Sequence, residues 1–285
     1  MNLIYYRGLN CHLASIINIT AALGLDYQNA FSTLWSETDF NYDQRYHMYL
    51  SKQVFTNLKS LGAEIKKFDC DFPDAVQNRL SAADVNELLS IGMDSFYIPW
   101  SPVYQHFHES HYFFVEKGHD DTFFCSDPVY EKQNLIMNTD HIAQYAFEIA
   151  RICIKGERTL IPDPVCEAGR IRNSHPVLID NIMTEITNYT TSGEEKLNLL
   201  IRLISAMINN RYLFREYLRL SYGRVMTHPG IFDEAFFRNW EAVKCGLYKL
   251  LIIKDKASVI SQVEDLFLRV METEIMIAEQ LPELV

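Results

Sequence analysis

The sequence predicts an α+β fold, with a mixed N-terminal half built on a mostly antiparallel sheet and an all-helical C-terminal region. Three observations carry this reading. Short aromatic and β-branched runs bounded by turn residues occur only in the first 157 residues. Two of them, at 111–118 and 122–127, flank the stretch Gly118-His119-Asp120-Asp121, a tight hairpin signal that makes at least part of the sheet antiparallel. Beyond residue 176 the apolar spacing is helical and no strand pattern appears. Helices followed by a largely antiparallel sheet is an α+β order.

The first element is a helix over 12–24, with Asn10 as its N-cap and Gly24 just past its end. Its apolar positions, among them Leu13, Ile16, Ile17, Ile19 and Leu23, cover nearly the whole circumference, so the helix belongs in the interior. Further helices are expected at 27–36, at 46–61 with Gly62 ending it, and at 73–91 with Gly92 ending it. Strands are expected at 63–69, 94–100, 111–118, 122–127 and 150–156. The stretch 158–176 has prolines, a glycine and no sustained period, and reads as a linker. It divides a first domain, 1–157, from a helical domain, 177–285, whose helices are expected at about 177–190, 195–222, 231–253 and 256–280.

Composition excludes several function classes. The chain has 285 residues and is 48% hydrophobic, enough for substantial cores. No apolar run approaches the roughly 18 to 20 residues of a membrane span. The start "MNLIYYRG" lacks the charged-then-apolar pattern of a signal peptide, so no membrane partner and a cytoplasmic location are expected. The net charge of −11 argues against nucleic acid, whose binding is driven by Lys and Arg. Up to residue 157 there are 11 Lys and Arg against 20 Asp and Glu, a balance of −9; beyond it 15 stand against 17, or −2. The six cysteines form no CxxC pair and read as thiols rather than as a zinc or disulfide framework.

Cys11 sits where a polar loop turns into the buried helix. A thiol at a helix start meets unpaired amide groups and the positive dipole end, which favour thiolate, and a neighbouring imidazolium favours it further. His111 opens one strand and Asp127 closes its hairpin partner, so both lie at the same edge of the sheet. A carboxylate that binds one imidazole nitrogen leaves the other free to take a proton. Cysteine, then histidine about 100 residues on, then aspartate gives a nucleophile, a base and an orienting group.

This arrangement over about residues 5–157 resembles the papain-like fold of bacteriocin-leader peptidases. More closely, it resembles the family of the butirosin-biosynthesis protein H. Members of that family carry a cysteine before a long helix, a later histidine-strand-hairpin-Asp-Pro, here His111 to "SDP" at 126–128, and a helical region behind the catalytic part. The resemblance implies a catalytic triad of Cys11, His111 and Asp127 that moves an acyl group from the phosphopantetheine thioester of an acyl carrier protein to a small-molecule amine. It implies no bound cofactor beyond that phosphopantetheine arm. Papain-like peptidases usually have a glutamine six residues before the cysteine; Tyr5 stands there instead. An oxyanion hole would use the Cys11 amide with Tyr5, Tyr6 or Asn10. A thioester asks less of such a hole than an amide, because its carbonyl is more reactive and its thiolate leaves without needing a proton.

Other readings stand beside this one. A hydrolase of the same fold would give the acyl group to water, and a non-catalytic member would use the cleft to bind a carrier or peptide. His106, His108 and His111 resemble the HxHxDH pattern of metallo-β-lactamase-fold hydrolases, with Ser110 in place of the aspartate. As loop residues, His106 and His108 would line the cleft rim and contact substrate. His12 adjoins Cys11 but points about 100° away on the helix. Arg211, Arg215 and Arg219 recur every four residues, as either a solvated charged face or a docking strip for an acidic carrier protein.

Overall fold

A helix that is apolar all round has to be buried, and the first helix is. In the computed structural model, which describes residues 2–44, 47–70, 72–119, 122–156, 159, 163–253 and 256–285, α1 (Cys11–Ala22) leads a series of eight strands and eight α-helices among the described residues. It is followed by β1 (Phe40–Asp43), β2 (Met48–Ser51), α2 (Lys52–Ser60), β3 (Ala63–Asp69), α3 (Pro73–Ser81), β4 (Leu88–Asp94) and β5 (Ser110–Lys117). Next come β6 (Thr122–Asp127), β7 (Lys132–Asn138), α4 (Thr139–Tyr145) and β8 (Ala146–Ile154). The chain ends with α5 (Pro164–Ser192), α6 (Glu194–Ser221), α7 (Glu234–Ile252) and α8 (Ala257–Gln280). The fold class is α+β.

The chain divides into two units, and neither is a continuous segment. The first comprises Met1–Tyr27 and Leu58–Thr159; the second comprises Gln28–Asn57 and Leu160–Val285. This differs from a single boundary near 157, because residues 28–57 belong with the helical unit. The expected boundary itself, 157–158, lies outside the described residues, as do Asp120 and Asp121 of the expected hairpin turn.

In the first unit a six-stranded antiparallel sheet has the order β3-β8-β4-β5-β6-β7. One face carries α1, which packs on β5 and β4. Ser15 Oγ donates to the Phe113 carbonyl (3.1 Å) and shares a hydrogen bond with Ser90 Oγ (2.8 Å), pinning the helix to both strands. Strand residues alternate between faces, so Ile91, Met93, Phe113, Val115, Phe123 and Cys125 turn to the other side. There they meet Val76 and Leu80 of α3 and Ile142 and Ala143 of α4.

The differences from the sequence-based expectation have local causes. The expected helix 73–91 is α3 followed by β4, and Gly92 lies inside that strand rather than ending a helix. Nearly every residue of β4 is buried on both faces, so it shows no alternation to read. Gly92 is needed there for space: a Cβ would stand 2.6 Å from the Phe147 ring and 2.8 Å from that of Tyr112. The expected strand 94–100 is a short 3-10 turn, Ser95–Tyr97, capped by Asp94. Residues 27–36 form a single 3-10 turn, Tyr27–Phe31, and 46–61 split into β2 and α2. The strand expected at 150–156 begins earlier, at Ala146, and β1, β7 and α4 carry no expectation at all. The expected linker is helical from Pro164 onward: Asp163 caps α5, accepting from the Cys166 amide, and the helix continues through Pro176.

In the second unit the β1–β2 hairpin accompanies α5 to α8. Its centre is a fully buried carboxylate, Glu274 of α8. Glu274 receives two hydrogen bonds from the Arg211 guanidinium (2.7 and 3.0 Å), and one each from Trp240 Nε1 (2.9 Å) and Trp35 Nε1 (3.2 Å). His175 Nε2 lies 2.8 Å away. Burial alone would raise this carboxyl, but the charge of Arg211, with His175, holds it well below the usual range. Arg211 is thus 1% exposed and unavailable to any docking partner. Arg215 pairs with Glu234 and Arg219 with Glu216 (3.3 and 2.7 Å), so the three arginines do not make the basic strip their spacing allowed.

Gly92→Ala is expected to lower stability by about 1 to 3 kcal/mol, the usual cost of overpacking, seen as a reduced urea midpoint with an unchanged m-value.

Candidate active site

Cys11 is the first residue of α1 because Asn10, in extended conformation (φ −81°, ψ 169°), ends the loop and caps the helix. The Asn10 Oδ1 accepts from the Leu13 amide at 2.8 Å, and its carbonyl accepts from Ala14. That cap fixes where the helix begins and leaves the Cys11 amide at its positive end. The thiol is partly exposed.

His111 and Asp127 come from adjacent strands. In the β5–β6 register Phe114 faces Ser126, so His111 and Asp127 share a face of the sheet as diagonal neighbours. A bulge between Cys125 and Asp127, where β6 pairs with β7, re-aims the carboxylate at the strand's end. The result is a bond of 2.7 Å between Asp127 Oδ2 and His111 Nε2. The other ring nitrogen, Nδ1, is then the one that faces Cys11, with which His111 makes a side-chain hydrogen bond. Cys11, His111 and Asp127 are therefore in one hydrogen-bonded chain.

Asp127 has no solvent exposure, and its oxygens are filled from the protein. Besides His111, Oδ2 accepts from Trp100 Nε1 at 2.9 Å. Oδ1 accepts from the amides of Val129 (3.1 Å) and Tyr130 (3.2 Å), a turn closed by the aspartate's own side chain around Pro128. The Tyr130 ring stacks on His111 with centroids 4.6 Å apart at 16°. Burial opposes charge on His111, which is 4% exposed. The hydrogen bonds to Asp127 and Cys11 and their negative charge more than offset it and raise the ring from its ordinary 6.5 to about 9. The imidazolium is the resting form at neutral pH.

The remaining candidates separate. Tyr5 is close enough to Cys11 and Asp127 that, after burial, their charges are what raise its phenol above the ordinary value. It stays protonated, hence a donor, beside the thiol. Tyr6 is tied through its hydroxyl to that of Tyr27 at 2.8 Å, and Asn10 Oδ1 is used as the helix cap. His106 lies in an exposed loop, its amide bound to the Val103 carbonyl. His108 is engaged by Asp94 (Nδ1 to Oδ2, 2.7 Å) and stacks on Phe96. His12 packs against the Tyr112 ring (centroids 4.4 Å apart, tilted by 35°) and lies 3.7 Å from Glu148, on the sheet face under α1. His108 and His111 are held by different carboxylates, and among the described residues no three His, Cys, Asp or Glu side chains converge as a metal site requires. Sequence reasoning missed Trp100 and Tyr130. Only Tyr130 had a usable signal, its place in "DPVY" three residues after Asp127.

No known protein-family model matches the chain, and neither does any curated protein.

A histidine raised on folding adds stability that is fully present below its ordinary value and is lost as pH rises through its folded one. The difference in unfolding free energy between the wild type and His111→Gln is therefore expected to be constant below about pH 6.5 and to shrink toward pH 9. Urea titrations at a series of pH values would read it, and a difference that grows in that window would reverse the assignment.

Proposed function

We propose that Cys11 is the nucleophile of an acyltransferase with a papain-like first unit, acting as the resemblance to the butirosin-biosynthesis protein H family implies. The observation that carries this is the hydrogen-bonded chain from Cys11 through His111 to Asp127 at the start of a buried helix. The donor is the phosphopantetheine thioester of an acyl carrier protein, the acceptor is a small-molecule amine, and no cofactor is needed beyond the pantetheine arm. A carrier-protein donor and six scattered cysteines without a CxxC pair go with a cytoplasmic setting.

Cys11 attacks the thioester carbonyl and the carbon–sulfur bond to pantetheine breaks; the pantetheine leaves as a thiol with the proton held on His111. An acyl-Cys11 intermediate remains. A neutral amine attacks its carbonyl, His111 takes a proton from the amine, and the bond to Cys11 breaks. Amide is released, and Cys11 thiolate is restored beside protonated His111. Charge on the carbonyl oxygen in both steps is met by the Cys11 amide and the Tyr5 hydroxyl, which substitutes for the amide side chain that a peptidase would place there.

Incubation with acyl-pantetheine thioesters is expected to add one acyl mass to the intact protein and none to Cys11→Ala, with amide appearing once amine is supplied. Absence of any adduct across short and medium acyl groups would sink the proposal, and release only as carboxylic acid in the presence of amine would make the protein a hydrolase. Tyr5→Phe is expected to slow acylation by about 10² without preventing it; an unchanged single-turnover rate would remove Tyr5 from the oxyanion hole.

A further inference from the structure

A second imidazole–carboxylate pair lies at the same end of the sheet as the first. Asp94 closes β4 and faces Ser110, the residue before His111. Its Oδ2 holds His108 Nδ1 at 2.7 Å, while Oδ1 accepts the amides of Phe96 (3.0 Å) and Glu109 (3.2 Å). The His108 ring is stacked on Phe96, with centroids 4.4 Å apart at 10°, and meets Tyr97 edge-on. Ring position and tautomer are thus fixed, with Nε2 as the nitrogen the carboxylate does not engage. Where His111 is enclosed, the His108 side chain is 65% exposed.

Strand alternation places this pair relative to the nucleophile. Ser90, Gly92 and Asp94 point to the sheet face that carries α1. Ser90 bonds Ser15, and Gly92 is covered by Tyr112, against which His12 packs. Each step along β4 therefore moves back along the helix toward residue 11, so Asp94 stands level with the helix start, and His111, opposite Met93, leaves the sheet at the same level on its other face. The titratable groups that adjoin His108 include Tyr97 of the turn, Glu109 beside it and His106 two residues before it. His141 of α4 is turned to the Tyr97 carbonyl at 2.7 Å.

Resting on the acyl-transfer reading, we propose that His108, held by Asp94, takes the first proton from the acceptor, and that the acceptor is a strongly basic primary amine arriving as an ammonium ion. A lysine-type amine, with a pKa of about 10.4, enters with three N–H bonds, and the amide product keeps one. Two protons must leave. His111 accepts the one released as nitrogen bonds to the acyl carbon and the Cys11 sulfur departs. The earlier one, whose loss frees the nitrogen lone pair, passes to His108 Nε2, with Asp94 balancing the charge. Water or an alcohol loses only one proton on acylation and would need only His111, so a second pair at the mouth selects for ammonium.

The test uses preformed acyl-Cys11 protein, mixed at pH 7 with either a primary alkylamine or methoxyamine, which is already neutral there. In His108→Gln, transfer to the alkylamine is expected to fall by about 10², the scale of one general base, and to recover as pH rises. Transfer to methoxyamine is expected to stay within a few-fold of wild type, and Asp94→Asn, which keeps the Oδ1 acceptor, to show a weaker form of the same pattern. Equal losses with both amines, or no loss with either, would overturn the proposal. Failure of the wild type to form acyl-Cys11 would instead refute the acyl-transfer reading beneath it.

Discussion

A carboxylate with no solvent contact must find its hydrogen bonds within the protein, and the site depends on how Asp127 does so. Burying an ion without partners is prohibitive. Its oxygens are satisfied by two amides of the turn that follows it, an indole and an imidazole. Each donor fixes something else: the amides fold the chain around Pro128, the indole anchors the loop between β4 and β5, and the imidazole is aimed at Cys11. Tyr130, delivered by the same turn, closes the other side of the His111 ring. The His111 ring is therefore oriented by the requirement that a buried charge be neutralised, and its proton is held for the same reason.

The two imidazole–carboxylate pairs differ in burial more than in chemistry. His111 is enclosed, and its bonds to Asp127 and Cys11 keep it charged. His108 has the same kind of partner at the same 2.7 Å but stands in solvent, where protons exchange with the medium. In the acyl-transfer reading this divides the work between a base that acts at the reacting carbon and one that prepares the acceptor at the entrance. The three arginines of α6 contribute to neither, since Arg211 is committed to Glu274 and the others to local carboxylates.

Much of the site was legible because its signals are local. A cap residue before an apolar run marked the start of α1, and a histidine opening a strand whose hairpin partner ends in Asp-Pro marked the other half. What escaped depends on partners far along the chain. The β4 strand is buried on both faces and shows no period, whereas β7, largely exposed, has no apolar stripe. Pro164 reads as a breaker but occupies the first turn of α5, where its missing N–H costs nothing. The spacing of Arg211, Arg215 and Arg219 is the same whether the helix face is wet or dry, and only Glu274, 63 residues away, decides. Residues 28–57 belong with the helical unit through partners equally far along the chain: Ser36 bonds Glu167, and Glu37 bonds Asn210.

That excursion bears on the order in which the molecule can assemble. The helix that begins with Cys11 precedes the segment 28–57, and the strands with His111 and Asp127 come only after the chain has run through it. The Trp35 indole waits for Glu274, 239 positions later. Neither unit is made in one run: the first is interrupted by 28–57, and the second closes only when α8 has been made. A chain of this connectivity trades fast, local folding for contacts made over long sequence separations, in which apolar surface around Trp35 stays uncovered until α8 has been made.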